Sequence, residues 1–415
     1  MQETQAASSG FFNGFAPWFM NKLLMGRSWP DYARSLATPF NVMAVAILIV
    51  SIPSFYSRYT QGLSSVVHAS AEYPWGLLLS WGIFAGEPLY ACGFLAATAY
   101  YVLGYKGFKP LVRLGVMAGM LGYMFAASYL LIDLGRPWRL YFPMAVGFGP
   151  SSVLFIVAWH VCLYVNVQLL EFTPAILEWL GSKRIHKWVV SATVGLVILG
   201  TVLTTIHQSA LGAMYLITPH KLHPLWYSSY LPVFFLSSAV FAAMAFLVML
   251  MAVSVKYFRH MCDSAFVDSV ERNTITLGKG IALSMYVYFA LKVIGVAKDG
   301  LWSSLATPYG YWYLFEVAGM LLLPAVLMTY GVKSSNMFAI RAASVWAMLG
   351  IVLNRVNVNL VAYNWSMPDH FKHITPPLPE TLMILSMITL QLMVMRWILN
   401  RMPVLGQASA YRDVH

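Results

Sequence analysis

Ten apolar stretches, each about as long as a bilayer is thick, limit this 415-residue chain to very few folds. At 1.5 Å per helical residue, about twenty residues cross the ~30 Å of hydrocarbon. The stretches lie at 40–57, 75–104, 110–132, 150–171, 187–215, 227–256, 276–297, 311–331, 337–360 and 379–400. Most are bounded by turn or charge signals such as Gly104-Tyr105-Lys106-Gly107 and Gly181-Ser182-Lys183-Arg184. Charged residues make up only 10% of the chain against 59% hydrophobic, whereas soluble domains carry about 25% charged residues. The sequence therefore predicts an all-α membrane protein with ten transmembrane helices. No polar connection is long enough to hold a soluble domain.

The net charge of +11 comes from Lys and Arg scattered between the apolar runs, with no continuous basic stripe, so nucleic acid is not an expected partner. The lipid membrane is. Eighteen of the 26 basic residues fall in segments on the side of the two termini. Six, Arg58, Arg136, Arg139, Lys221, Lys298 and Lys372, fall on the other, and Lys292 and Arg355 lie within spans. The positive-inside rule then predicts that both termini are cytoplasmic. Residues 1–39, with Phe11, Phe12, Phe15, Trp18, Phe19, Leu23 and Leu24, read as an interfacial segment. They lack the early basic region and small-residue cleavage site of a signal peptide.

Cys92, Cys162 and Cys262 show no C-x-x-C or C-x-x-C-H spacing, so neither a cysteine-ligated iron–sulfur cluster nor a c-type haem is expected in this chain. Ionisable groups within spans are costly, roughly 2.5–3.5 kcal/mol each on insertion scales, and mark candidate functional sites. Six stand out: Glu87, His160, His207, Lys292, Glu316 and Arg355. Glu87 precedes Pro88, which removes a helix donor and kinks the span. With no evident cationic partner, its carboxyl is expected to carry protons. The flanks of His160 and His207 are bulky, and His207 sits in the polar run His207-Gln208-Ser209, which suits a proton path better than a haem. Lys292 and Glu316 read as a neutralised buried pair, and Asn354, Asn357 and Asn359 around Arg355 as an interhelical hydrogen-bonding cluster. Asp133, Arg136 and Arg139 close the third span, and an Asp–Arg pair capping the helix end is one reading of them.

The stretches PLVRLGVMAGMLGY (110–123), LLIDLGRPWRL (130–140), SSVLF (151–155), EFTPAILEWLG (171–181), TTIHQSALGAM (204–214) and HKLHPLW (220–226) resemble the polysulfide-reductase-type, or NrfD-like, membrane subunits of respiratory oxidoreductases. The resemblance is dense over 74–232, and the ten-span branch is the more similar. It implies a haem-free, quinone-binding protein of two four-helix bundles with one extra helix at each end. On that reading, 1–39 is the interfacial segment, 40–74 the first span and outer loop, and 75–225 the first bundle with the quinone site. The second bundle is 226–360, and 361–415 holds an outer loop, the last span and a cytoplasmic tail. The implied partners are a periplasmic ferredoxin-like iron–sulfur subunit, a larger periplasmic catalytic-type subunit and a multihaem cytochrome c. The implied location is the bacterial inner membrane.

Proton-path residues of that branch carry over to Arg113, Tyr123 and His207, with Glu87 and His160 standing in for two carboxylates replaced here by Ile156 and Leu250. Trp81, Tyr123, Asp133, Arg136 and His207 are the candidate quinone-binding residues, and Lys292, Glu316 and Arg355 form a second polar cluster. The expected activity is reduction of menaquinone with electrons from the partner and protons from the cytoplasm. The reverse reaction, menaquinol oxidation, uses the same residues. Two other classes stay open: a secondary transporter, favoured by Glu87-Pro88 but opposed by the absence of a clear inverted repeat, and a purely structural anchor.

Overall fold

A computed structural model describes residues 17–70, 75–372, 375–407 and 411. It is 80% helical, without strands among the described residues. Ten helices are long and apolar enough to cross a membrane: α1 (Pro39–Thr60), α2 (Leu77–Val102), α3 (Lys106–Asp133), α4 (Val153–Leu180), α5 (Lys183–Ile217), α6 (Leu231–Tyr257), α7 (Ser264–Lys298), α8 (Pro308–Lys333), α9 (Met337–Asn364) and α10 (Leu378–Leu399). An even number of crossings puts the start of α1 and the end of α10 on one face, called here the termini face. Phe11, Phe12 and Phe15 of the expected interfacial segment lie outside the described residues. Residues 17–22 are helical, and the Trp18 ring meets Trp179 at the foot of α4.

Local chemistry sets the helix limits. Ser152 and Asp263 cap α4 and α7 by accepting from Phe155 N and Phe266 N. Gly181, with φ at 88°, ends α4 in the left-handed conformation that glycine adopts freely. The seventh helix starts twelve residues before the expected 276. Its first turns carry Asp268, Glu271 and Arg272, so hydropathy alone truncates it, yet Ser269 and Asn273 on the opposite side of the helix are buried.

Spans α2 to α5 close one four-helix ring, and α6 to α9 close another. The rings join where α2 packs on α6 and α9, and where α5 packs on α6. The α1–α10 pair flanks the first ring, pinned by Ser51 Oγ donating to Leu382 O. Arg58, expected in an outer loop, is instead buried at the end of α1, where its guanidinium donates to Ile132 O and Leu134 O and so caps the last carbonyls of α3.

Span α2 is the most enclosed of the ten, and α3 reaches it across glycines. A Cβ on Gly122 would sit 1.9 Å from Cγ of Tyr90, and one on Gly119 would meet Gln168 and the Tyr90 carbonyl. Small residues that let helices approach closely are the usual intramembrane contact. Gly122→Ala is expected to force the Tyr90 ring aside and to destabilise the first ring by about 1–3 kcal/mol. A thermal unfolding midpoint in detergent equal to wild type would show that Tyr90 relaxes freely.

Candidate functional site: a buried glutamate, histidine and tyrosine

Three ionisable side chains from three helices meet inside the first ring. Glu87 comes from α2, Tyr164 from α4 and His207 from α5, and all three are fully buried. His207 Nε2 contacts Glu87 Oε2 directly. The Tyr164 hydroxyl donates to Glu87 Oε1 at 3.1 Å and lies 3.1 Å from His207 Nε2. The carboxyl expected to stand alone therefore has a histidine partner. A carboxylate oxygen and an imidazole nitrogen in contact need a proton between them, so the group holds at least one exchangeable proton. Glu87 is ten residues from Leu77, and His207 ten from Ile217, so both lie about 15 Å from the face opposite the termini.

The local backbone explains how Glu87 reaches this position. Residues Ser80–Ala85 form a π-helical segment, a wider turn with one extra residue that re-aims the side chains beyond it. Pro88 has no N–H to offer Phe84 O, its α-helical acceptor four residues earlier. Arg355 of α9 supplies the missing donor, with Nε 3.1 Å from Phe84 O. The carbonyl freed by the proline is thus satisfied from the second ring, and Glu87 is left to bond His207 and Tyr164.

From Tyr164, a polar stripe runs along one face of α4 toward the termini face: Tyr164, Gln168, Glu171 and Glu178, at the three- and four-residue steps that share a helix face. All four are buried. The Gln168 amide and the Glu171 carboxylate have no hydrogen-bond partner among the described residues. Glu178 is paired with Arg113, which also donates to Pro403 O at 2.9 Å. Arg113, Glu171 and Thr193 line a cavity of about 50 Å³. That is room for water, each molecule needing roughly 10–15 Å³ by this measure. Beside it, a depression of about 390 Å³ lined by Lys109, Arg113 and Asp263 opens at the end of the bundle.

The family description "Polysulphide reductase, NrfD" matches residues 65–364. The chain belongs to the NrfD family. A protein of Nitratidesulfovibrio vulgaris is 38% identical to this NrfD chain over 382 residues, covering 92% of it and 98% of the relative. The probable Ni/Fe-hydrogenase 2 b-type cytochrome subunit of Escherichia coli is 28% identical over 366 residues, 86% of this chain and 90% of that one. The menaquinone reductase integral membrane subunit of Nitratidesulfovibrio vulgaris is 26% identical over 292 residues, 64% of this chain and 67% of that one.

The word cytochrome in one relative's name raises the question of haem, and in this NrfD chain the Nε2 of His207 is already engaged by Glu87 and Tyr164. The rings of His160 and His207 stand edge to face, 6.2 Å between centroids at 82°, and His207 Nε2 is committed to Glu87 and Tyr164. Axial ligation through that nitrogen would break its contacts with Glu87 and Tyr164. No group of three or more His, Cys, Asp or Glu among the described residues is placed to hold a metal ion.

The residues singled out from the sequence divide into separate places. Tyr123, fully buried, faces Tyr164 with ring centroids 4.0 Å apart and so joins the Glu87–His207 group. His160 is half-buried one turn from Tyr164. Trp81 packs against the Phe125, Tyr129 and Ile132 side of α3 instead. Asp133 ends α3, ten residues and about 15 Å from Tyr123, with Arg58 as its neighbouring cation, and Arg136 is exposed. The Asp133–Arg136–Arg139 run forms no ion pair within itself: Arg139 lies over the Phe142 ring.

Lys292 and Glu316 are not an ion pair. Lys292 sits among the rings of Phe234, Tyr288 and Tyr313, at 4.9, 5.6 and 5.7 Å. Glu316 accepts from Trp226 Nε1, Asn354 Nδ2 and Asn357 Nδ2 at 2.9, 2.6 and 2.6 Å. Neutral donors and a cage of aromatic faces take the place of the direct contact. Nearby, His223 packs on Tyr309 and Trp226 outside the spans, and burial pushes its imidazole below the usual histidine range.

Proposed function

We propose that this chain is the quinone-binding membrane subunit of a respiratory oxidoreductase, in which it binds menaquinone and delivers its protons while a partner supplies the electrons. One observation carries the reading: a buried Glu87–His207–Tyr164 group, with Tyr123 against it, heads a polar stripe leading to the termini face. Reduction of a quinone to its quinol takes two electrons and two protons, and the stripe offers proton carriers in order. Arg113 and Glu178 stand at the entry, Glu171 lines water-sized space, Gln168 follows it along α4, and Tyr164, Glu87 and His207 stand at the end. His160 and Tyr123 flank that end and complete the set.

The excess of basic residues on the termini side supports a cytoplasmic termini face, so protons enter from the cytoplasm. Electrons arrive at the opposite, periplasmic face from an iron–sulfur subunit assembled with a larger catalytic-type subunit and a multihaem cytochrome c. Moving the two charges from opposite sides makes the reaction electrogenic in the bacterial inner membrane. The match to a menaquinone reductase membrane subunit supports the choice of quinone.

The test uses the assembled complex in liposomes that contain menaquinone. Wild type is expected to take up protons from the termini side in step with quinone reduction. Glu171→Gln is expected to slow that uptake by about 10-fold or more, with bound quinone retained; this is below the ~10²- to 10⁴-fold of a group that itself exchanges the reacting proton, because water beside it can carry part of the flow. Wild-type turnover and charge separation in Glu171→Gln would place the route elsewhere. A native complex from which no quinone can be extracted would end the respiratory reading.

A further inference from the structure

A cleft of about 410 Å³ opens between the two rings, walled by α2, α5 and α6, with Phe108 of α3 and Thr276 and Leu277 of α7 at one end. Its lining is almost wholly apolar, and Leu103, Thr205 and Val240 stand exposed at its mouth, on the surface that lipid covers. Of the six polar side chains that line the cleft, Thr98 and Thr201 bond each other, Thr205 and Thr276 bond carbonyls of their own helices, and Thr204 and Gln208 stand on the inner wall. Gln208 is fully buried with neither atom of its amide hydrogen-bonded among the described residues, and Thr204, one helical turn away, is buried with its hydroxyl toward Tyr123. A buried amide with no partner carries an uncompensated loss of solvation, which a ligand offering both an acceptor and a donor would recover.

The direction of the cleft identifies the kind of ligand. Gln208 is nine residues from the opposite-face end of α5, and Leu103 follows the last residue of α2 at the termini face. The cleft therefore extends some 25 Å along the bundle, at 1.5 Å per residue. Its polar end is inside the protein, level with Glu87, and its apolar length runs out to lipid. A phospholipid keeps its head at the membrane surface and sends only its chains inward. An isoprenoid quinone does the reverse, with a compact ring carrying two carbonyls on a long apolar tail.

The geometry points to this cleft as the site where the quinone enters from the bilayer, ring first, with one carbonyl on the Gln208 amide and the tail along the groove. The inference rests on the quinone reading above and gives it a location. Phe94 lines the cleft and touches the Tyr123 ring at 6.0 Å, while Thr204 carries a hydroxyl on the same wall. The ring would lie beside the Tyr123–Tyr164 pair, from which protons come, about 9 Å along α2 from Trp81 and about 15 Å from Asp133 at the opposite face.

Two variants of the assembled complex test this, with heptyl-hydroxyquinoline N-oxide as the quinone analogue and its fluorescence quenching as the readout. Ala239→Trp fills the groove from α6, and Gln208→Leu removes the amide at similar size. Ala239→Trp is expected to weaken analogue binding at least 10-fold and to strip endogenous menaquinone from the purified complex. Gln208→Leu is expected to weaken it about 3- to 10-fold, the range for one hydrogen bond, and since it leaves the groove open it serves if the tryptophan variant fails to assemble. Wild-type affinity in both would overturn the assignment, as would loss of a phospholipid with menaquinone retained. If Glu87→Gln abolishes turnover while both cleft variants bind normally, the cleft falls and the functional reading stands. If even the wild-type complex binds no analogue, the functional reading falls first.

Discussion

Glu87→Gln is expected to lower quinone turnover of the assembled complex by about 10²- to 10⁴-fold, the usual contribution of a positioned general acid or base. Glutamine matches the shape of the side chain and still accepts from Tyr164, so assembly and quinone content should hold. It cannot release or take up a proton at His207 Nε2, where the present carboxylate makes direct contact. Tyr164→Phe removes the hydroxyl that bridges both partners and should show a smaller loss, since the Glu87–His207 contact survives it. The check is steady-state quinone reduction alongside the quinone extracted from each variant. A Glu87→Gln complex at wild-type rate would leave the buried group a structural one.

The largest stability effect is expected at Arg355. The side chain is fully buried and serves both rings at once: Nε on Phe84 O, Nη2 on Ser238 Oγ at 2.7 Å, Nη1 on Asn354 Oδ1 at 2.7 Å, with its plane 3.6 Å over Phe235. Arg355→Leu leaves three buried acceptors unserved at roughly 1–3 kcal/mol each, so a loss of about 3–9 kcal/mol is expected. Arg355→Lys keeps the charge but not the planar fork and should recover only part of it. The measurement is the thermal midpoint and assembly yield in detergent. Because Phe84 is one turn from Glu87, a surviving Arg355→Leu complex should also lose turnover, and an unchanged midpoint would show that the rings are held by packing alone.

Much of this was open to reading along the chain, for a physical reason. Lipid punishes polarity, so the ten spans stand out by hydropathy, and Glu87, His207 and Arg355 stand out by their cost. Tyr164 did not, because one tyrosine among 24 carries no signal until Glu87 and His207 are seen to converge on it. Glu171 and Glu178 lay within a recognised motif but near a helix end, where carboxylates are ordinary. Only their spacing from Tyr164 and Gln168 reveals a buried stripe. The Lys292–Glu316 pairing went wrong because opposite charges at similar depth look like partners in one dimension, whereas aromatic faces and asparagine amides serve each group separately. Asp133 and Arg136 belong to a motif at a helix end, and a motif in sequence does not say how far its side chains stand from a site 15 Å deeper.

The π-helical turns have a consequence for how such chains diverge. Segments Ser80–Ala85 and Thr98–Val102 in α2, Phe315–Leu322 in α8 and Asn357–Val361 in α9 each hold the equivalent of one inserted residue. Gain or loss of a single residue there shortens or lengthens a span by only about 1.5 Å but swings everything beyond it by about 100°. The first segment stands directly before Glu87, the third contains Glu316 and the fourth comes just after Arg355. A one-codon event at any of these three would retire one buried polar side chain and bring its neighbour into the interior, leaving the ten crossings in place. In this scaffold, insertions and deletions are as direct a route to a new interior as substitutions are.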